Sequence, residues 1–178
     1  MPDTTVSKRS VVPSLLCCCL GLVAHAPLSI AADTAVAELS PTAAMLSEWI
    51  VASRDTALAS GTRDIPEAVR EALGGFVPEA ILDKVRWQQV PESALTLQTL
   101  FYLGHTPAIT LDYVIVFESG SDAAADPKLW AHELVHVIQY ERWGVAGFSQ
   151  RYVDNYSAVE QEAWEFRWQW MKQTGRVP

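Results

Sequence analysis

Apolar residues recur at helical spacing over residues 42–58, at Ala44, Met45, Trp49, Ala52 and Leu58, and predict an amphipathic helix that Gly61 ends. Asp64-Ile65-Pro66-Glu67 reads as a second helix start, with Asp64 as N-cap and Pro66 early in the first turn. A short helix follows to Leu73, where Gly74-Gly75 stop it. Residues 77–84 predict a further helical turn or two, and 85–90 a short strand. Residues 95–103 fit helix or strand equally, and Gly104-His105-Thr106-Pro107 is a turn. Over 109–118 the chain alternates, with Ile109, Leu111, Tyr113, Ile115 and Phe117 on one side of what is the best strand in the sequence. Asp126 and Pro127 cap and begin a helix that ends near Gly144. A short helix is expected through 148–152, and a long one over 156–173 before Gly175. These elements predict an α+β fold.

The first 32 residues change that picture. Lys8 and Arg9 precede an apolar run over 11–24, and small residues follow, with cleavage expected after Ala31 or Ala32. This reads as a secretory signal over 1–32, too short and too interrupted for a membrane span, leaving one domain over 33–178. The expected location is secreted or periplasmic, with no stable membrane insertion once the signal is cleaved. All three cysteines, Cys17, Cys18 and Cys19, lie in that segment, so the mature chain has no thiolate and no disulfide. The formal net charge of -8 and the lack of a basic stripe argue against nucleic acid as a partner. With 49% apolar residues and seven Trp, a sizeable core is available.

Within the helix after Pro127 stands His132-Glu133-Leu134-Val135-His136. At about 100° per residue the two histidines lie about 40° apart on one face, with Gln139, Tyr140 and Trp143 near them. Glu133 flanks that face, and Leu134, Val137 and Ile138 occupy the other side. This is HExxH, whose two imidazoles bind a zinc ion and whose glutamate serves as base toward water. A catalytic zinc takes three protein ligands. With no cysteine left and only His105 to spare, the third is expected to be a carboxylate. Glu160 and Glu162 on the last helix are the candidates. They are two apart, point about 200° away from each other, and exclude one another; facing alone does not choose between them.

The stretch HELVHVIQY, followed by EQEA on the next long helix, resembles the gluzincin arrangement. Within that group it resembles the extracellular contractile injection system (eCIS) core domain family, grouped with metallopeptidases. Its AHExxHxxQ pattern corresponds here to Ala131, His132, Glu133, His136 and Gln139. The resemblance covers roughly 65–167 and includes IPEAVREAL upstream. It implies a zincin-like fold: a small sheet whose edge strand packs on the HExxH helix, and a C-terminal helix carrying the third ligand. It implies Glu160 as that ligand, matching the first Glu of ExxAD. Trp164 stands where that motif has Asp, so the usual acceptor behind a ligating histidine is missing.

The expected activity is hydrolysis of a peptide bond in a peptide or protein substrate, with Glu133 as general base and Zn2+ as cofactor. Similarity to zincins implies that the strand over 109–118 is the edge against which an extended substrate pairs. Tyr152, Tyr156 and His105 are candidate oxyanion donors, and Gln139 either supports the site or is a surface residue. Trp164 and Trp168 share one side of the last helix and Phe166 and Trp170 another, which predicts a helix buried on two sides. The alternative function is a zinc-stabilised binding or structural module with little or no proteolysis, favoured by the short sequence after Glu160.

Overall fold

The structure, a computed structural model, describes residues 39–90, 107–119 and 122–176. Residues 1–32, expected to form a signal and holding the three cysteines, residues 95–103 and His105 lie outside the described residues. Helix α1 (Pro41–Ser60) opens the fold, capped by Ser40, whose Oγ accepts from the Ala43 N–H at 3.2 Å. Strand β1 (Arg63–Asp64), helix α2 (Glu67–Leu73) and helix α3 (Glu79–Lys84) lead into strand β2 (Arg86–Val90). Strands β3 (Ala108–Leu111) and β4 (Val114–Glu118) follow, then a 3-10 turn at Asp122–Ala125 and the helical stretch α4 (Pro127–Gln173). The four-stranded mixed sheet runs β1-β2-β4-β3; β2 and β4 are parallel and the other pairs antiparallel. No helix among the described residues is long and apolar enough to cross a membrane.

Three local expectations are corrected. Asp64 does not cap α2: it pairs with Arg86 in the sheet, and Pro66 takes the N-cap position without a side-chain bond. The single strand over 109–118 is a hairpin that turns at Asp112-Tyr113, with Asp112 at φ 60°. Asp tolerates that left-handed conformation better than most residues. The two-residue turn inverts the alternation. Ile109 and Leu111 therefore share a face with Val114 and Val116, while Ile115 and Phe117 face the opposite core. Unbroken alternation over ten residues reads as one strand because a tight hairpin leaves almost no polar gap. In α1 the buried residues are Ala43, Leu46, Ile50 and Ala57, and Met45 and Ala52 are exposed, so the helix is rotated from the predicted face.

The sheet is covered on both sides. On one, α2, α3 and α4 pack around Trp87, Phe117 and Trp130, whose rings meet at 4.7–5.9 Å, largely edge to face. The indole N–H groups of Trp87, Trp130 and Trp170 donate to the carbonyls of Asp64, Ala124 and Ala72, so these rings bury no unpaired donor. On the other side Ala57 of α1 packs with the apolar residues of the hairpin, and Arg54 donates to Asp112 at 2.8 Å, tying α1 to the hairpin turn. The Ser40 end of α1 reaches α4, where the Ser40 N–H donates to Gln150.

The stretch α4 is three helical segments, 127–143, 145–154 and 156–173, separated by Gly144 (φ 66°, ψ 169°) and Asn155 (φ -156°, ψ 73°). Asp126 caps the first, its side chain accepting from Lys128 N–H, with Pro127 in the first turn, as predicted. Asn155 caps the third, its Oδ1 accepting from Ala158 N–H at 3.1 Å. These two breaks fold the chain back so that the third segment lies beside the first. Trp170 and Ala163 of the third segment are buried, but Trp164 and Trp168 are more than half exposed. The helix is thus buried along one side rather than the two expected.

Gly144 occupies a backbone region that only glycine adopts without strain. Gly144→Ala is expected to lower stability by about 1–3 kcal/mol, although a Cβ there meets no atom within 4 Å. Urea denaturation checks this, and a change under ~0.5 kcal/mol would mean that the break does not need Gly.

Candidate metal centre

His132 and His136 stand on the first segment of α4 and Glu160 on the third, and the fold-back brings them together. His132 Nε2 is 3.2 Å from His136 Nε2 and 3.2 Å from one Glu160 oxygen; His136 Nε2 is 3.5 Å from the other. Both imidazoles are buried and the Glu160 side chain is 17% exposed. Donor atoms bound about 2.0–2.1 Å from a tetrahedral ion stand about 3.3–3.4 Å apart, so these separations suit one. Burial pushes the Glu160 carboxyl up, but the hydrogen bond from His132 and the electrostatic influence of the two imidazoles outweigh it, and the group sits below its ordinary value. The three residues form a group that could hold a metal ion.

Gln139 supports one ligand. It is fully buried rather than a surface residue, and its amide nitrogen donates to the Val159 carbonyl and to a Glu162 oxygen, both at 3.0 Å. Both partners can only accept, which fixes the amide orientation and turns its oxygen toward His136 Nδ1 at 2.8 Å. Nδ1 must then donate, and the neutral imidazole presents its Nε2 lone pair to the centre. Glu162, the competing carboxylate, turns away from the histidines: its other oxygen accepts from Arg142 at 2.9 Å.

His132 has no such support. Its Nδ1 is buried without a hydrogen-bond partner among the described residues, and the Trp164 ring lies 4.7 Å from the imidazole. An indole face accepts no ordinary hydrogen bond, so the Trp at this position leaves Nδ1 of His132 without an acceptor.

Glu133 is 5% exposed, and its Oε2 accepts from Thr110 Oγ at 2.7 Å. Thr110 lies on β3, so the sheet edge orients this carboxylate. No donor among the described residues bonds the other oxygen. All four residues of β3 are buried, and the Thr110 carbonyl accepts from Tyr140 Oη at 3.3 Å. The sheet edge beside the site is thus four residues long and already carries one side-chain bond.

These groups open onto a cleft of about 590 Å³ that is continuous with solvent. Its other walls are apolar and aromatic: Leu46, Trp49 and Ile50 from α1, and Phe148, Tyr152 and Tyr156 from α4. The Tyr152 hydroxyl is buried and has no partner among the described residues. Burial is the main reason its proton is held more tightly than usual, and the Glu160 charge adds to this. The α1 wall was not foreseen from the sequence, because Leu46 and Ile50 lie beside the predicted apolar face of α1.

The fold and this centre define a class: a small α+β domain in which two helical segments assemble a buried two-histidine, one-glutamate group. Residues 64–144 match the family model of the eCIS core domain. The match includes His132, Glu133, His136 and Gln139 and ends before Glu160. No curated protein and no solved structure matches the chain.

Gln139→Leu is expected to weaken metal binding about 10- to 100-fold, since it removes the acceptor that fixes His136. Trp164→Asp, which supplies an acceptor near His132, is expected to strengthen it. Competition with a chelator of known affinity measures both, and unchanged affinity in Gln139→Leu would remove that residue from the centre.

Proposed function

We propose that the chain is a zinc-dependent peptidase of zincin-like build, secreted or periplasmic, that acts on peptide or protein substrates. The observation that carries this reading is the approach of His132, His136 and Glu160 at tetrahedral separations, with the Glu133 carboxylate on the same cleft. A zinc ion held by these three residues would supply a Lewis acid that lowers the pKa of water and polarises a carbonyl. Glu133 takes one proton from the attacking water at the oxygen that Thr110 leaves open. The water oxygen joins the carbonyl carbon, the C–N bond breaks, and the proton passes to the leaving amine. Thr110 holds Glu133, and Gln139 holds His136 in the required tautomer. Tyr140 is committed to Thr110, so Tyr152 and Tyr156 are the lining tyrosines left to donate to the developing oxyanion.

One observation favours the second reading, a zinc-stabilised binding or structural module. Tyr140 already occupies the Thr110 carbonyl, so an extended peptide must displace that bond to pair there.

Zinc content of the purified protein and of His132→Ala, His136→Ala and Glu160→Ala tests the metal, with about one zinc expected in the first and little in the others. Peptide cleavage is expected to fall about 10²- to 10⁴-fold in Glu133→Gln while zinc is retained. Absence of zinc from the unmutated protein sinks both readings, and zinc without Glu133-dependent cleavage favours the binding module.

A further inference from the structure

The cleft extends past the metal centre into an apolar chamber. Leu46, Trp49 and Ile50 of α1 form one wall, and Phe148 and Tyr152 of the middle segment of α4 the other. Phe148 is anchored between Tyr140, stacked at 3.9 Å, and Tyr152 at 5.5 Å, and its ring centre lies 6.1 Å from that of His136. The chamber therefore begins where the metal ligands end. All five of these residues lie outside the stretch matched to the eCIS core domain, so the chamber comes from the flanking parts of this chain.

Among the described lining residues none is Lys or Arg, and the carboxylates present are Glu133 and Glu160. An acidic side chain entering here would lose its hydration without gaining a cationic side-chain partner. A small one would leave apolar walls facing water. A large apolar side chain fills the space and removes both its own surface and that of the walls from water.

We infer that this chamber is a specificity pocket, formed jointly by α1 and the middle segment of α4, that takes a large apolar or aromatic side chain next to the scissile peptide bond. The inference rests on the peptidase reading for the bond that is cut, but the pocket itself can be probed by binding alone. Half-buried Trp49 is the wall residue most open to substitution without disturbing the core.

The test uses three zinc-chelating hydroxamic acids that differ only in a benzyl, methyl or carboxymethyl side chain. Their binding to the zinc-loaded full chain is measured by calorimetry. The benzyl compound is expected to bind about 10- to 100-fold more tightly than either of the others, and Trp49→Ala is expected to narrow that difference. Equal binding, preference for the carboxymethyl compound, or no binding of the benzyl compound overturns the inference. In parallel, the same protein is given peptides varied at one position among Phe, Leu, Gly and Asp. Cleavage favouring Phe or Leu supports the pocket, and cleavage indifferent to the side chain overturns it. Benzyl preference with no peptide cut leaves the pocket standing and removes the peptidase reading instead.

Discussion

The centre depends on the chain folding back between residues 143 and 156, and the buried amide of Gln139 pins that fold. Its nitrogen binds the third segment of α4 through the Val159 carbonyl and Glu162, while its oxygen sets the imidazole of His136 on the first segment. One side chain thus couples the packing of two helical segments to the electronic state of one ligand. A buried amide left unpaired would cost about 1–3 kcal/mol, so the fold-back and the tautomer stand or fall together. Gly144 and Asn155 make the reversal sterically possible, and Gln139 makes it specific.

The electrostatics point the same way. Two imidazole nitrogens and a carboxylate converge at the buried base of the cleft, and His136 presents a lone pair there rather than a proton. Facing acceptors repel unless a proton or a cation lies between them. The two histidines are not equivalent in this respect. His136 is supported by a hydrogen-bonded amide, whereas His132 has an unpartnered Nδ1 behind it and the face of Trp164 beside it. The weaker side of the centre is therefore the side on which an aromatic residue stands.

Much of the arrangement is legible in the chain. Spacing alone places the two histidines together, and a separation of two residues makes Glu160 and Glu162 face different partners, which they do. The caps at Asp126 and near Asn155 and the break at Gly144 carry known local signals. The hairpin is harder to see: Asp112-Tyr113 turns the chain without a glycine or a run of polar residues, so the alternation continues and two strands read as one. Gln139 was ambiguous because its burial depends on Val159 and Glu162, twenty and twenty-three residues away. The α1 wall is a tertiary fact. Leu46 and Ile50 are buried through their contacts with α4, and helical periodicity alone placed the apolar face elsewhere.

The cleft combines a sheet edge that orients Glu133 through Thr110, a helix pair that assembles the ligands, and a first helix that closes the apolar side. The central claim is that His132, His136 and Glu160 hold one zinc ion. X-ray absorption spectroscopy of the zinc-loaded protein tests this most directly. The account predicts two imidazole nitrogens and oxygen donors at about 2.0–2.1 Å, with no sulfur. A spectrum with sulfur ligands, or one without the paired imidazole signature, would contradict it.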